Sequence, residues 1–284
     1  MTSPEAGPLI DQAGKARSRH LVVSGLLIVF LLAGAACSVS AQDRQVPRPA
    51  NKSTEVAHAS RDVSWKLFGS NVLHDQKRIW LFPKTLAAGK HWLPTLGVVG
   101  ATAGLIALDP YDDPYFRRTQ TFNTFNDVMS SRNAIWGMAL FPASVYALGL
   151  TRHDSYMQKT VQFSAESVLD SEILALVIRD VTQRVPPKQI APNGDFSDSF
   201  FMRHKGPFYV GNGGFPSGDT IAAFSIATIF ADRYRRHRWV PWVAYGLASL
   251  VGFSRITLQD HFPSDVFAGA ALGFAVSHFV VLRH

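Results

Sequence analysis

Six long stretches with almost no charge constrain this chain more than any other feature. They cover residues 92–108, 134–150, 161–178, 220–231, 239–253 and 266–282. The third carries Glu166, Asp170 and Glu172; the other five are uncharged. Each is longer than the roughly five or six residues of an ordinary strand, and each is rich in Ala, Leu and other helix-compatible residues, so helices are expected. Strand signals are scarce and no internal repeat is visible. The expected fold is all-α, a bundle of about six core helices.

The rest of the chain divides around that bundle. Residues 1–41 hold Lys15, Arg17 and Arg19, then an uncharged run over 21–36, then Val39-Ser40-Ala41. This is the pattern of a secretory signal. An uncleaved anchor and a lipid-modified Cys37 are the alternatives, and all three carry the remainder across an inner membrane. Cys37 is the single cysteine of the chain, which excludes a disulfide framework within it. Residues 42–90 read as a linker followed by short amphipathic pieces around Trp65, Trp80 and Pro83. Residues 91–284 form the helical domain.

A membrane span needs roughly 20 apolar residues, with about 17 as the lower bound. Several of the six stretches sit at that bound, and 220–231 falls short of it. Charged residues are 17% of the chain, against roughly 25% in soluble domains, which favours a membrane-bound domain over a wholly periplasmic one. The loop 233–238 has four arginines in six residues and belongs in the cytoplasm if its flanking helices cross. Residues 211–219, 254–255 and 261–265 are then extracytoplasmic. Three crossings before residue 220 conflict with an extracytoplasmic residue 42. The conflict vanishes if the acidic third stretch does not cross, since carboxylates facing lipid are costly, or if nothing crosses and the whole domain is periplasmic; the membrane-bound reading is favoured.

Two blocks carry chemistry. Residues 254–265 read S-R-x5-H-x3-D, with Ser254, Arg255, His261 and Asp265. Pro263 suits a first helical turn, and Asp265, one turn beyond His261, can fix one imidazole nitrogen as donor and leave the other free to attack an electrophile. Arg255 offers a planar fork to phosphate oxygens. Upstream, Gly211-Asn-Gly-Gly-Phe-Pro-Ser-Gly-Asp219 runs straight into an apolar stretch. Backbone N–H groups at such a helix start form an anion site, to which the Ser217 hydroxyl could add a donor.

These blocks resemble the type 2 phosphatidic acid phosphatase superfamily, which includes bacterial acid phosphatases and vanadium haloperoxidases, over roughly residues 160–282. The family pattern is K-x6-R-P, then P-S-G-H, then S-R-x5-H-x3-D. The resemblance implies a helical cradle for phosphate with no metal or other cofactor. His261 is then the phosphoryl-accepting nucleophile, Asp265 its support, and Arg255, Ser254, Ser217 and Gly218 hold the phosphate. Two motifs depart from the pattern. Asp219 stands where the family has the His that protonates the leaving group. Arg179 falls at the Lys position and Pro186 at the Arg position, with Arg184 two residues earlier and expected to reach the same phosphate by a local shift. An Asp acts as general acid only with a pKa raised from its usual value near 3.9. A weakened acid favours diphosphates, whose leaving groups need less protonation.

The implied activity is hydrolysis of a phosphomonoester or diphosphate, of a lipid, through a phospho-histidine at the extracytoplasmic face. One rival is a catalytically impaired protein that binds phosphate or a lipid head group on the same fold. A second is a vanadate-dependent oxidase, against which the replaced Lys and His count. Asp109, Asp112 and Asp113 could hold a cation or simply lie in an interhelical loop. Arg203, His204 and Lys205 could meet an anionic head group or face solvent. The formal charge of +7 and the arginines of 233–238 are compatible with nucleic acid, but a cytoplasmic membrane-side loop accounts for them and no nucleic-acid partner is expected.

Overall fold

The computed structural model describes residues 61–191, 194–197, 199–201 and 213–283. The expected secretory segment with Cys37, most of the expected linker, and residues 203–205 and 211–212 lie outside the described residues. Among those described, every regular element is helical. They are α1 (Phe68–Ala87), α2 (Trp92–Arg118), α3 (Asn123–Val128), α4 (Ser131–Thr151), α5 (Ser155–Thr182), a 3-10 turn (Pro187–Gln189), α6 (Gly218–Arg233), α7 (Trp239–Thr257) and α8 (Pro263–Ala275), which continues as a π turn (Val276–Val281).

Local chemistry sets the helix starts. Asp154 caps α5, its Oδ1 accepting from the backbone N–H of Tyr156 at 2.9 Å and Met157 at 3.1 Å. Pro263 opens α8, and the Asp265 carboxylate reaches back to the N–H of Phe262 at 2.9 Å. Two helices depart from expectation at their prolines. α1 is one continuous helix with Pro83 inside it, not a set of short pieces. α2 runs ten residues past the apolar stretch, through Pro110 and Pro114, because Asp109 and Asp113 are buried against the bundle.

α6 is the central helix, packed on α5, α7 and α8. Its small residues admit close neighbours: Gly273 of α8 lies so near that a Cβ there would sit 2.6 Å from the Ile221 carbonyl oxygen. α4 through α8 alternate in direction, and α2 runs toward the same end as α5 and α7. One end collects the C-terminal turns of α2, α5 and α7 and the N-terminal turns of α4, α6 and α8, as Ser131–Asp260 and Arg184–Asp109 contacts record. The other end holds the 152–154 and 233–238 turns, where Arg233 donates to Thr160 at 2.7 Å. The arginine loop and the motif residues thus lie at opposite ends.

The acidic third stretch is a core element of the bundle. It forms the 28-residue α5 along the full length of α6. Glu166 and Asp170 are wholly buried. Arg61 bridges Glu166 and Asp75, each at 2.6 Å, Asn71 donates to Glu166 at 2.8 Å, and Gln76 donates to Asp170 at 2.9 Å. Glu166 and Asp170 thus face protein, and among the described residues α5 is not one of the helices long and apolar enough to cross a membrane. The same contacts tie residues 61–87 to the bundle. α2, α4 and α8 with its π turn are long and apolar enough to cross a membrane. In α2 and α4 only 6% and 17% of the apolar window is buried, so the apolar side chains face outward.

Candidate active site

The site forms where the helix ends meet. The chain leaves α7 after Arg255, turns sharply, and enters α8 at Pro263; the Arg255 carbonyl accepts from the backbone N–H groups of Asp260 at 3.0 Å and His261 at 3.2 Å. This fixes His261 at the corner between the two helices. Across from it, the loop over 213–217 leads into α6 and is pinned by the Ser217 N–H donating to the Asp265 carbonyl at 3.1 Å.

His261 Nδ1 lies 2.7 Å from the Gly214 carbonyl oxygen and 3.6 Å from Asp265 Oδ2. A carbonyl oxygen only accepts, so Nδ1 carries the proton and Nε2 carries the lone pair. Nε2 has no hydrogen-bond partner among the described residues. The expected support by Asp265 therefore takes a different form: the main-chain carbonyl of Gly214 sets the tautomer, and Asp265 stands one shell behind it. The Asp265 carboxylate is spent on the Phe262 N–H and on Arg184, whose Nη1 is 2.5 Å from Oδ1.

Arg184 departs furthest from expectation. It is 1% exposed and does not face a phosphate position. Nη2 donates to Asp109 at 2.6 Å, Nη1 to Ser264 at 2.6 Å as well as to Asp265, and Nε to Ser199 at 3.0 Å. The guanidinium lies between the Phe200 and Phe262 rings, 4.4 and 3.9 Å from their centroids. Asp109 in turn accepts from the Ser264 hydroxyl at 2.5 Å and its N–H at 3.2 Å. Arg184 and Asp109 thus clamp the first turn of α8 against α2. The two serines also differ from expectation. Ser217 is wholly buried, its Oγ accepting from Thr220 at 2.9 Å. The Ser254 hydroxyl accepts from Arg255 Nε at 3.1 Å and Nη2 at 2.9 Å, so it orients that arginine.

Arg255 is fully buried and engaged on every side. Nη1 donates to Asp219 at 2.9 Å and Ser131 at 2.7 Å, and Nη2 to the Met129 carbonyl at 2.6 Å. Asp260 lies 3.6 Å from it and is also held by Lys188 and by Ser131 at 2.8 Å. Burial pushes the Asp260 carboxyl up, but the Lys188 and Ser131 hydrogen bonds and both nearby cations together hold it below the usual range. Arg179 donates through Nε to the Pro216 carbonyl at 3.0 Å and through Nη1 to Glu172 at 3.2 Å. Its Nη2 is buried without a partner. A Cβ on Gly218 would sit 2.6 Å from that nitrogen, so only glycine lets Arg179 approach the start of α6 this closely.

The structure therefore brings His261, Asp265, Asp219, Arg255, Arg179 and Gly218 to one corner, and moves Arg184 behind it. Sequence reasoning missed Ser131, Lys188 and the Gly214 carbonyl, and gave Glu172 and Asp109 other roles. Asp109 had been singled out as a cation ligand or loop residue; it is neither, and no metal-holding group of three His, Cys, Asp or Glu occurs among the described residues.

Comparison with known proteins agrees with the motif reading. The model of the PAP2 superfamily matches residues 164–284. A "Lipid A 4'-phosphatase" of Porphyromonas gingivalis is 39% identical over 70 residues, 25% of this chain and 29% of that protein. A "Lipid A 1-phosphatase" of the same organism is 44% identical over 63 residues, 22% and 14% of the two chains. The "Bacitracin transport permease protein BcrC" of Bacillus licheniformis is 42% identical over 66 residues, 23% and 31%. The matched segment thus spans under a third of each of these relatives. A crystal structure of a transmembrane PAP2-type phosphatidylglycerolphosphate phosphatase from Bacillus subtilis aligns with a TM-score of 0.36 at 20% identity, covering 73% of this chain and 94% of that one.

Proposed function

Residues 164–284 belong to the PAP2 superfamily, and from that premise we propose that this protein hydrolyses a phosphomonoester or diphosphate of a membrane lipid at the extracytoplasmic face. One observation carries the reading: His261 has its Nδ1 committed to a carbonyl, which leaves Nε2 as a nucleophile at a corner flanked by Arg255 and by an unpartnered N–H of Arg179. Nε2 attacks phosphorus, the Nε2–P bond forms as the P–O bond to the lipid breaks, and the departing oxygen takes a proton. Water then attacks the phospho-histidine, releasing phosphate and restoring His261. Positive charge at the site comes from the arginines and the α6 N-terminus. The face follows from the arginine loop at the opposite end, which belongs on the cytoplasmic side.

Asp219 is the group that stands where the leaving oxygen needs its proton. In the resting arrangement it is bound to Arg255. A singly protonated phosphate that takes over Arg255 Nη1 passes its proton to the freed Asp219 carboxylate, which delivers it to the leaving oxygen. The same ion pair favours a second reading: Asp219 and Glu172 occupy the cations that a substrate would use, as in a protein that binds a head group without turning it over.

The test is phosphate release by the purified protein from lipid phosphates, lipid diphosphates and soluble phosphomonoesters, together with acid-labile labelling of His261. Lipid phosphates or diphosphates are expected to turn over, and His261→Ala, still folded, is expected to lose both turnover and label. Wild-type rates in folded His261→Ala would refute the mechanism. Binding without turnover across the panel would establish the second reading.

A further inference from the structure

At the end of the bundle opposite His261, a cavity of about 290 Å³ opens between the ends of α5 and α6 and the π turn that follows α8. The sixteen residues of α6, at about 1.5 Å each, separate it from Gly218, so it is not part of the catalytic corner. Its walls are dominated by arginine. Arg233 is fixed in place, bonded to Thr160 and to the Tyr156 carbonyl and lying 4.1 Å from the Tyr156 ring centroid. Arg61 is neutralised in the core by Asp75 and Glu166. Arg235, Arg236 and Arg283 complete the rim and are exposed. Asp232 is the acidic side chain of the lining, and its approach to Arg235 is a loose 3.9 Å.

Among the described residues, the three exposed guanidiniums of Arg235, Arg236 and Arg283 therefore stand with one carboxylate, Asp232, around a single cavity, beside the anchored Arg233. Like charges held this close raise the local affinity for an anion, and planar guanidinium forks fit phosphate oxygens. The floor is apolar, lined by Phe163, Val281 and Leu282. Next to the rim, Phe279 is 45% exposed and sits beneath the Arg283 guanidinium, 5.2 Å from its carbon. An anion with an apolar tail fits this combination better than a free ion does. We propose that the cavity binds the phosphate of an anionic phospholipid, in the leaflet on the side of the arginine loop, independently of the reaction at His261.

The proposal is tested on the full-length, detergent-solubilised protein by titration with short-chain phosphatidylglycerol, short-chain phosphatidylcholine and inorganic phosphate. Phosphatidylglycerol is expected to bind tightest. Each arginine beside an anionic head group is worth about a fivefold change in affinity. Replacing Arg235, Arg236 and Arg283 together by Gln is therefore expected to weaken phosphatidylglycerol by about a hundredfold. The exposed Lys77, Lys84 and Lys90, changed together to Gln, remove the same charge elsewhere and are expected to leave affinity nearly unchanged. Because the three rim arginines are exposed, their loss spares the core, and an unchanged Tm checks this. Equal binding of the two lipids, equal loss in both triple variants, or no loss in the arginine variant would overturn the proposal. Binding of inorganic phosphate as tight as phosphatidylglycerol would overturn its assignment to a lipid.

Discussion

Replacing Arg184 by Met removes one buried guanidinium and leaves the apolar stem. Arg184 is 1% exposed and its nitrogens reach Asp109, Asp265, Ser264 and Ser199. Without it, the Asp109 and Asp265 carboxylates remain buried with no cation between them. Breaking a buried pair by removing one partner costs about 3–5 kcal/mol, because the survivor is an uncompensated charge. Here two survivors share one vacancy, so the upper half of that range is expected. For a domain of this size the loss corresponds to a Tm lower by roughly 8–20 °C, read by thermal unfolding of the detergent-solubilised protein. Arg184→Lys keeps the charge but not the fork, and one ammonium cannot span Asp109, Ser264 and Asp265 together, so an intermediate Tm is expected. Asp109→Asn leaves Arg184 its second carboxylate and costs about 1.5–3 kcal/mol, the range for a charged hydrogen bond. The order of Tm is thus wild type, then Asp109→Asn, then Arg184→Met. If Arg184→Met unfolds within about 2 °C of wild type, the clamp does not hold α8 and the reasoning fails.

Three further outcomes are expected. Gly273→Ala places a Cβ 2.6 Å from the Ile221 carbonyl and should lower stability by about 1–3 kcal/mol, whereas Gly100→Ala, with open space around it, should not. Lys188→Met removes a hydrogen bond that holds the Asp260 carboxyl below its usual range. A lowered carboxylate pKa stabilises the fold above about pH 3.9 and ceases to do so as pH falls through the folded value, so the Tm gap between wild type and Lys188→Met should be full at neutral pH and close under strong acid. Asp219→His takes the carboxylate off Arg255 and restores the imidazole of the P-S-G-H pattern. It should raise turnover of an alkyl phosphate more than of a diphosphate, since poor leaving groups depend most on the proton; an unchanged substrate ratio would make Asp219 a resting-state partner of Arg255 and nothing more.

The six core helices were legible because uncharged runs of helical length have few alternatives. α2 shows where that signal stops. Its apolar run ends at Leu108, yet the helix continues to Arg118 because Asp109 finds Arg184, a partner 75 positions away. Charge ended the reading at a residue whose charge is neutralised in the fold. Pro83 misled in the same direction; it and Pro110 each lie inside a helix that tertiary packing sustains. At the site, the His261, Arg255 and Asp265 set was readable from spacing within one corner of chain. The Arg184 clamp and the Glu172 and Asp219 ion pairs were not, since they join helices distant in sequence. Even the support of His261 proved to be main chain, and a carbonyl at Gly214 leaves no mark in residue identity.

The ion pairs bear on which substrate the corner accepts. Arg179, Arg184, Arg255 and Lys188 are matched against Glu172, Asp219, Asp260, Asp109 and Asp265. Arg184, Asp109 and Asp265 lie behind the corner; at the corner itself, among the described residues, Arg179, Arg255 and Lys188 face Glu172, Asp219 and Asp260, three cations against three carboxylates, so an entering phosphate dianion meets cations that are already paired. Two of the five carboxylates have room to yield: the Asp219 and Glu172 side chains are 26% and 27% exposed, while Asp109 and Asp265 are sealed. These two hold Arg255 and Arg179, the same arginines that flank His261. Substrate entry therefore amounts to exchanging one or both carboxylates for phosphate oxygens, and the exchange is easiest when a proton enters with the substrate. On the proposed reading, a phosphate that arrives singly charged brings that proton with it and is expected to enter more readily than the dianion.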